Sequence, residues 1–138
     1  MAEKVEITAD SMNAVDAKKE VHFTGNAKVK QLKDWIHADE IIVHLDENNK
    51  AKKYEAFGKV TFEFHNEKGH YLGNSEKIEY YPLKSLYVLT KNAHVKDILN
   101  KRTVKGDKIT VDMTTGNSRV VSTRKKPVKF TFDTGTSK

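Results

Sequence analysis

Gly58-Lys59-Val60-Thr61-Phe62-Glu63-Phe64 sets an apolar side chain at every second position behind a glycine, with polar or charged residues between. Successive side chains of an extended chain point to opposite faces, so this stretch reads as a strand with one apolar and one wet face. The pattern recurs on both sides of it. Val5 and Ile7 flank Glu6, Val21 and Phe23 flank His22, Ala27 and Val29 flank Lys28, and Ile41, Val43 and Leu45 enclose Ile42 and His44. Further along, Ile78 and Tyr80 alternate with Glu79, and Ala93 is followed by Val95. Ile109, Val111 and Met113 alternate with Thr110 and Asp112, and Val128, Phe130 and Phe132 with Lys129 and Thr131. The prediction is a chain of half-buried antiparallel strands.

Turn-forming clusters separate these runs: Thr24-Gly25-Asn26, Asp46-Glu47-Asn48-Asn49, Asn66-Glu67-Lys68-Gly69, Leu72-Gly73-Asn74-Ser75 and Thr114-Thr115-Gly116-Asn117. Between Ala9 and Val21, Asp10 or Ser11 could cap a short helix, but a tight turn near Asp16 to Lys19 joining two strands is the preferred reading. A repeat underlies the meander. Gly25-Asn26-Ala27, Gly58-Lys59-Val60 and Lys91-Asn92-Ala93 begin at 25, 58 and 91, which is a period of 33 residues. Interleaved are Ala9-Asp10, Ala38-Asp39 and Gly106-Asp107, with Gly73-Asn74-Ser75-Glu76 as a degenerate copy. A repeated strand pair cannot bury its apolar face alone, so the copies must stack into one elongated, folded-over sheet. The carboxylates beside the small residues fit corners better than repeated metal ligands.

With 138 residues the chain is one domain, assigned to residues 1–132, and the polar residues 133–138 read as a disordered tail. No run approaches the about 18 apolar residues of a membrane-spanning helix. Met1-Ala2-Glu3-Lys4 leads into no apolar stretch, so no signal peptide is expected. Zero cysteines exclude thiol chemistry and disulfides. The net charge of +6 suits anionic partners, yet lysines spread along every segment read first as a solvated face. No nucleophile motif, phosphate-binding glycine loop or metal-binding helix occurs, so neither an enzyme nor a cofactor is expected. His22, His37, His44, His65, His70 and His94 sit mostly on the polar phase and read as solvated rather than as metal ligands. Phe62, Phe64, Phe130 and Phe132 share the apolar phase, so core packing is expected of them rather than stacking on nucleic acid. Trp35 beside Asp34 is read as a rim anchor or a core residue at a turn.

Five segments together resemble the OstA-like family of lipopolysaccharide transport proteins: Val5-Glu6-Ile7-Thr8-Ala9-Asp10, Val21-His22-Phe23-Thr24-Gly25-Asn26-Ala27, Ile36-His37-Ala38-Asp39-Glu40-Ile41-Ile42-Val43, Gly58-Lys59-Val60-Thr61-Phe62 and Val104-Lys105-Gly106-Asp107-Lys108-Ile109-Thr110. Their order and spacing span Val5 to Phe132, with Lys91-Asn92-Ala93 departing from the family's usual Gly-Asn-Ala. The resemblance implies an all-β fold, an antiparallel V-shaped β-jellyroll with open edge strands and a taco-like apolar groove. It also implies a periplasmic mature protein that shields the acyl chains of lipid A. Implied partners are lipopolysaccharide, the inner-membrane-anchored LptC, the outer-membrane LptD and further copies joined head to tail through edge strands, with no nucleic acid.

Alternation and the resemblance together nominate groove residues: Val5, Ile7, Phe23, Val29 and Ile36 in the first third of the chain. Val43, Phe62, Phe64, Ile78 and Tyr80 follow in the middle, then Val88, Val95, Ile109, Val111 and Met113. Lys4, Lys59, Arg124, Lys125 and Lys126 are candidates to meet the lipid's phosphates at the rim. Competing readings are an LptC-like or LptD N-terminal-like periplasmic domain, a basic β-domain binding nucleic acid, and a structural adaptor whose groove is filled by its own side chains.

Overall fold

Alternation becomes six long strands and four short ones in the computed structural model, which describes residues 4–67, 69–122 and 125–133. The long strands are β3 (Glu20–Gln31), β4 (Asp34–Leu45), β5 (Ala51–Asn66), β6 (Gly69–Tyr81), β7 (Leu86–Asp97) and β8 (Arg102–Asp112). The short ones are β1 (Glu6–Thr8), β2 (Ser11–Val15), β9 (Ser118–Val121) and β10 (Lys129–Phe132). All pairings are antiparallel, and the long strands lie in chain order as an uninterrupted meander. β1 and β2 both pair with β3 at one edge, while β9 and β10 both pair with β8 at the other. Among the described residues the two edges do not pair, so the sheet is open rather than a sealed barrel. The tight turn expected after Val15 is a 3-10 turn over Asp16–Lys18. Among the described residues no helix is long and apolar enough to cross a membrane.

Register shifts occur at Thr24/Ala27, His37/Glu40, Phe57/Val60, Asn74/Lys77 and Thr90/Ala93, forming one line across the sheet. Extra residues in a bulge bend the strand and tighten its twist. A line of bulges therefore folds the whole sheet into two leaves. Along the crease, Ala27 pairs with Ala38, Val60 with Ser75 and Ala93 with Gly106, small side chains where the leaves diverge. This is the meaning of the 33-residue repeat: the backbone is left-handed at Gly25 and Asn26, at Gly58 and Lys59, and at Lys91 and Asn92. Acids of two interleaved units bond to the bulge asparagines. Asp10 accepts a bond from Asn26 Nδ2 at 3.3 Å, and Glu76 accepts one from Asn92 Nδ2 at 2.6 Å.

Thr24-Gly25-Asn26 and Leu72-Gly73-Asn74-Ser75 are thus not turns between strands, as the sequence predicts, but lie inside β3 and β6. The positive φ of Gly25 and Asn26 serves a reverse turn and a bulge equally well, and Gly73 is small because the Phe62 ring and the His94 carbonyl crowd it, so the residue types do not mark either segment as strand. At Gly58 φ is +84°, and a Cβ would run into the Asp39 carboxylate. Gly58→Ala should therefore cost about 2 kcal/mol in urea unfolding. Combining it with Asp39→Ala should recover part of that loss.

Two further expectations need correction. Phe62 and Phe64 are buried, but Phe130 and Phe132 are 51 % and 57 % exposed, because β10 is an edge strand with no neighbour beyond it. Lys59 sits exposed on the crease, where the register shifts between Phe57 and Val60, rather than at a free edge of the sheet. Lys4, Lys125 and Lys126 are exposed, whereas Arg124 and tail residues 134–138 lie outside the described residues.

Candidate functional site: the interleaf groove

Three rows of side chains cross the inner faces from edge to edge. In one leaf, Ile7, Val29, Ile36, Phe62, Gly73, Val95, Val104 and Phe130 are successive cross-strand partners. In the other, Met12, Phe23, Ile41, Ala56, Ile78, Leu89, Ile109 and Val120 form a row. A second row there runs through Val21, Val43, Tyr54, Tyr80, Tyr87 and Val111. Gly73 is small for a reason: a Cβ there would lie 2.6 Å from Cζ of Phe62, whose ring covers it. Among the described residues, fifteen apolar ones are buried in a single cluster between the leaves, which amounts to a packed core rather than an empty trough.

The nominated groove residues divide accordingly. Ile36, Val43, Phe62, Phe64, Ile78, Val95 and Ile109 are buried. Ile7, Phe23, Val29, Tyr80, Val111 and Met113 are partly buried against them, and Val5 is 41 % exposed at the edge. Val88 is the error. It pairs with Glu79 and Thr110 on the outer face, while its neighbours Tyr87 and Leu89 are the buried ones. Leu86-Tyr87-Val88-Leu89 is apolar throughout, so alternation assigns it no phase. Tyr54, Tyr71, Tyr87 and Leu89 were missed, although Tyr54 and Tyr87 are legible as the cross-strand partners of Tyr80 once the register is known.

Aromatic rings hold the leaves together away from the crease. Tyr54 stacks on Tyr80 at 5.9 Å and Tyr80 on Tyr87 at 4.3 Å, all within one leaf. Tyr87 meets Phe64 of the other leaf at 4.0 Å, and Phe64 stacks on Phe62 at 4.6 Å. Such pairs contribute about 0.5–1.5 kcal/mol each beyond burial. Burial, together with the neighbouring Tyr80, pushes the Tyr87 phenol far above its ordinary range, so this latch stays uncharged.

Space remains on both sides of the latch. Toward the β1 edge, a narrow cleft with about 40 Å³ of free room is lined by Val5, Val29, Ile36, Tyr54, Phe64, Tyr80 and Tyr87, with Gln31, Asp34 and Trp35 at its polar side. Toward the β8 edge, a seam with about 10 Å³ of free room, enough for one water at most, is lined by Phe62, Phe64, Tyr71, Tyr87, Leu89, Val95, Val111 and Met113. Phe64 and Tyr87 line both, so their contact is the partition between them.

The outer face explains the scattered charge. Glu55 accepts a bond from His44 Nε2 at 2.6 Å and pairs with Lys53 and Lys77 at 3.5 and 3.4 Å. Partial burial favours the neutral Glu55 carboxyl, but His44 and the two lysines outweigh it and hold its pKa below the ordinary value. His22 bonds Glu20 at 3.0 Å and Glu40 at 3.5 Å, so its pKa is raised, chiefly by the Glu20 bond. Lys53 and Lys77 are therefore engaged by carboxylates of the neighbouring strand, Lys53 with Glu79 and Lys77 with Glu55. Trp35 lies in β4 rather than at a turn and donates from Nε1 to Glu63 Oε1 at 3.0 Å.

Comparison with known proteins agrees with this architecture. Residues 6–117 match the family model described as LptA/(LptD N-terminal domain) LPS transport protein. Among solved structures, the chain is similar to LptH from Pseudomonas aeruginosa, described as the LptA homologous periplasmic component of the conserved lipopolysaccharide transport device. The TM-score is 0.82 at 17 % identity, covering 95 % of this chain and 96 % of that one, so the likeness is one of fold. No curated protein matches the sequence. The family match covers most of the chain, including every bulge, and bears out the OstA-like resemblance: the chain belongs to the LptA/(LptD N-terminal domain) family of LPS transport proteins.

Proposed function

We propose that the interleaf groove carries the acyl chains of lipopolysaccharide across an aqueous compartment, the periplasm. The observation that carries this reading is the apolar seam on either side of the Phe64–Tyr87 contact, which toward β1 opens into a cleft reaching the exposed Val5 at the sheet edge. Each methylene removed from water is worth about 0.8 kcal/mol, so an acyl chain is strongly driven into such a space. Because the centre is filled by Phe62, Phe64 and Tyr87, loading requires the rings of the latch to swing aside and let the leaves part. Methylene contacts discriminate weakly, which suits a conduit. A photoreactive residue at Val5 or Phe23 should crosslink to lipopolysaccharide, and one at Val88 on the outer face should not. Equal adducts at all three positions would overturn the reading.

Bridging follows from the edges. Val5 and Met12 are exposed at one edge, and Val121, Val128, Phe130 and Phe132 at the other. Unpaired edges of this kind invite strand addition, and a head-to-tail contact between unlike edges need not close. Copies of this chain, LptC and LptD are the partners assigned to those edges. Light scattering should show a mass that rises with concentration. Phe130→Asp with Phe132→Asp should leave a monomer at every concentration with an unchanged melting midpoint, because both side chains are exposed in the single chain. A parent chain that stays monomeric would refute self-assembly.

A further inference from the structure

The β5–β6 hairpin carries a second feature on its outer face, independent of the lipid reading. His65 of β5 and His70 of β6 are direct cross-strand partners, their rings stacked with centroids 4.3 Å apart. Glu63 Oε2 lies 2.6 Å from His70 Nε2 and 3.5 Å from His65 Nε2. One ligand atom from each of the three residues falls within 4.8 Å of the others.

The atoms that do not converge are held elsewhere. Asp34 Oδ1 accepts from the His65 backbone N–H at 2.8 Å and bonds His65 Nδ1 at 3.1 Å. A carboxylate is acceptor-only, so the bond to Asp34 is made by an Nδ1–H, which fixes the ring with Nε2 turned toward Glu63. Trp35 Nε1 donates to Glu63 Oε1, leaving Oε2 to face the two imidazoles. A carboxylate behind a ligating histidine, fixing its tautomer and orientation, is the usual support of a transition-metal site.

We propose that Glu63, His65 and His70 bind one borderline divalent transition metal such as zinc. Two imidazole nitrogens and one carboxylate oxygen suit zinc at about 2.0–2.2 Å per ligand, with a fourth position left to water. Binding displaces the proton that His70 Nε2 shares with Glu63 and releases it to solvent. The sequence alone expects solvated histidines here, because only the hairpin register sets His65 opposite His70. Phe64, between two of the ligands, faces inward to Tyr87, so a bound metal would stiffen the strand that carries the latch.

The test is calorimetric titration of zinc chloride into the full chain, carrying no histidine tag and stripped with EDTA. The expected result is one zinc per chain and a raised melting midpoint that EDTA reverses. His65→Ala and His70→Ala should each weaken binding by about 100-fold, and Asp34→Asn by about 10-fold. His22→Ala combined with His44→Ala should leave it unchanged. All variants alter partly exposed side chains, and their folding is checked by thermal melting. Absence of stoichiometric binding, or binding that survives the His65/His70 double variant, overturns the proposal. So does a His65 Nε2 nitrogen resonance that reports a protonated ring and stays fixed when zinc is added.

Discussion

Phe62→Asp should abolish the cooperative unfolding transition rather than merely block lipid transfer. Phe62 is 2 % exposed, its ring covering Gly73 and stacked on Phe64. Truncating a buried phenylalanine costs about 3–5 kcal/mol. A carboxylate in its place would face Ile36 and Val95 along the row, with no cation to pair with, and adds several kcal/mol or forces protonation. Together these approach the whole stability of a domain, about 5–15 kcal/mol. Circular dichroism should show no native melt, and Ile109→Asp, at the same exposure in the opposite leaf, should behave alike. A Phe62→Asp chain that melts like the parent would mean that the groove is wider than the packing around this ring allows.

Val29→Asp should do the reverse, leaving the fold standing and removing lipid affinity. Val29 is on the same inner row, between Ile7 and Ile36, yet only partly buried, and it lines the cleft at the β1 edge. The new carboxylate can reach water in the empty protein, so the melting midpoint should move by a few degrees at most. With acyl chains in the cleft it loses that water. An acidic side chain in a hydrocarbon environment costs about 3 kcal/mol, which is about a hundredfold in affinity. Equilibrium binding of lipopolysaccharide measures this directly, and Val29→Leu should bind as the parent does. Undiminished binding by a folded Val29→Asp chain would place the acyl chains elsewhere.

These two substitutions start from the same sequence signal and diverge through burial. Phe62 and Val29 both occupy the apolar phase of an alternating strand, and alternation reports only which face a side chain joins. Depth depends on what the other leaf brings. Phe62 lies in the buried cluster beside the rings of Phe64 and Tyr87, whereas Val29 stands near an edge with one short strand beyond it. Phe130 shows the same divergence more sharply, since it completes the inner row of Phe62 but closes nothing over itself. Val88 failed earlier, at the phase itself, because its apolar neighbours erased the alternation.

Local chemistry determined the strands, the inward faces of nearly all of them, the turns at Asp46-Glu47-Asn48-Asn49 and Thr114-Thr115-Gly116-Asn117, and the 33-residue repeat of left-handed residues. Each of these is decided within a few residues by sterics and by the two-residue period of an extended chain. Tertiary structure alone decided that Gly25-Asn26 and Gly73-Asn74 bend a continuing strand instead of ending it, that Phe64 meets Tyr87, and that His65 stands opposite His70. Those outcomes depend on strand register and on folding one leaf onto the other, contacts between residues distant in the chain that no local pattern encodes.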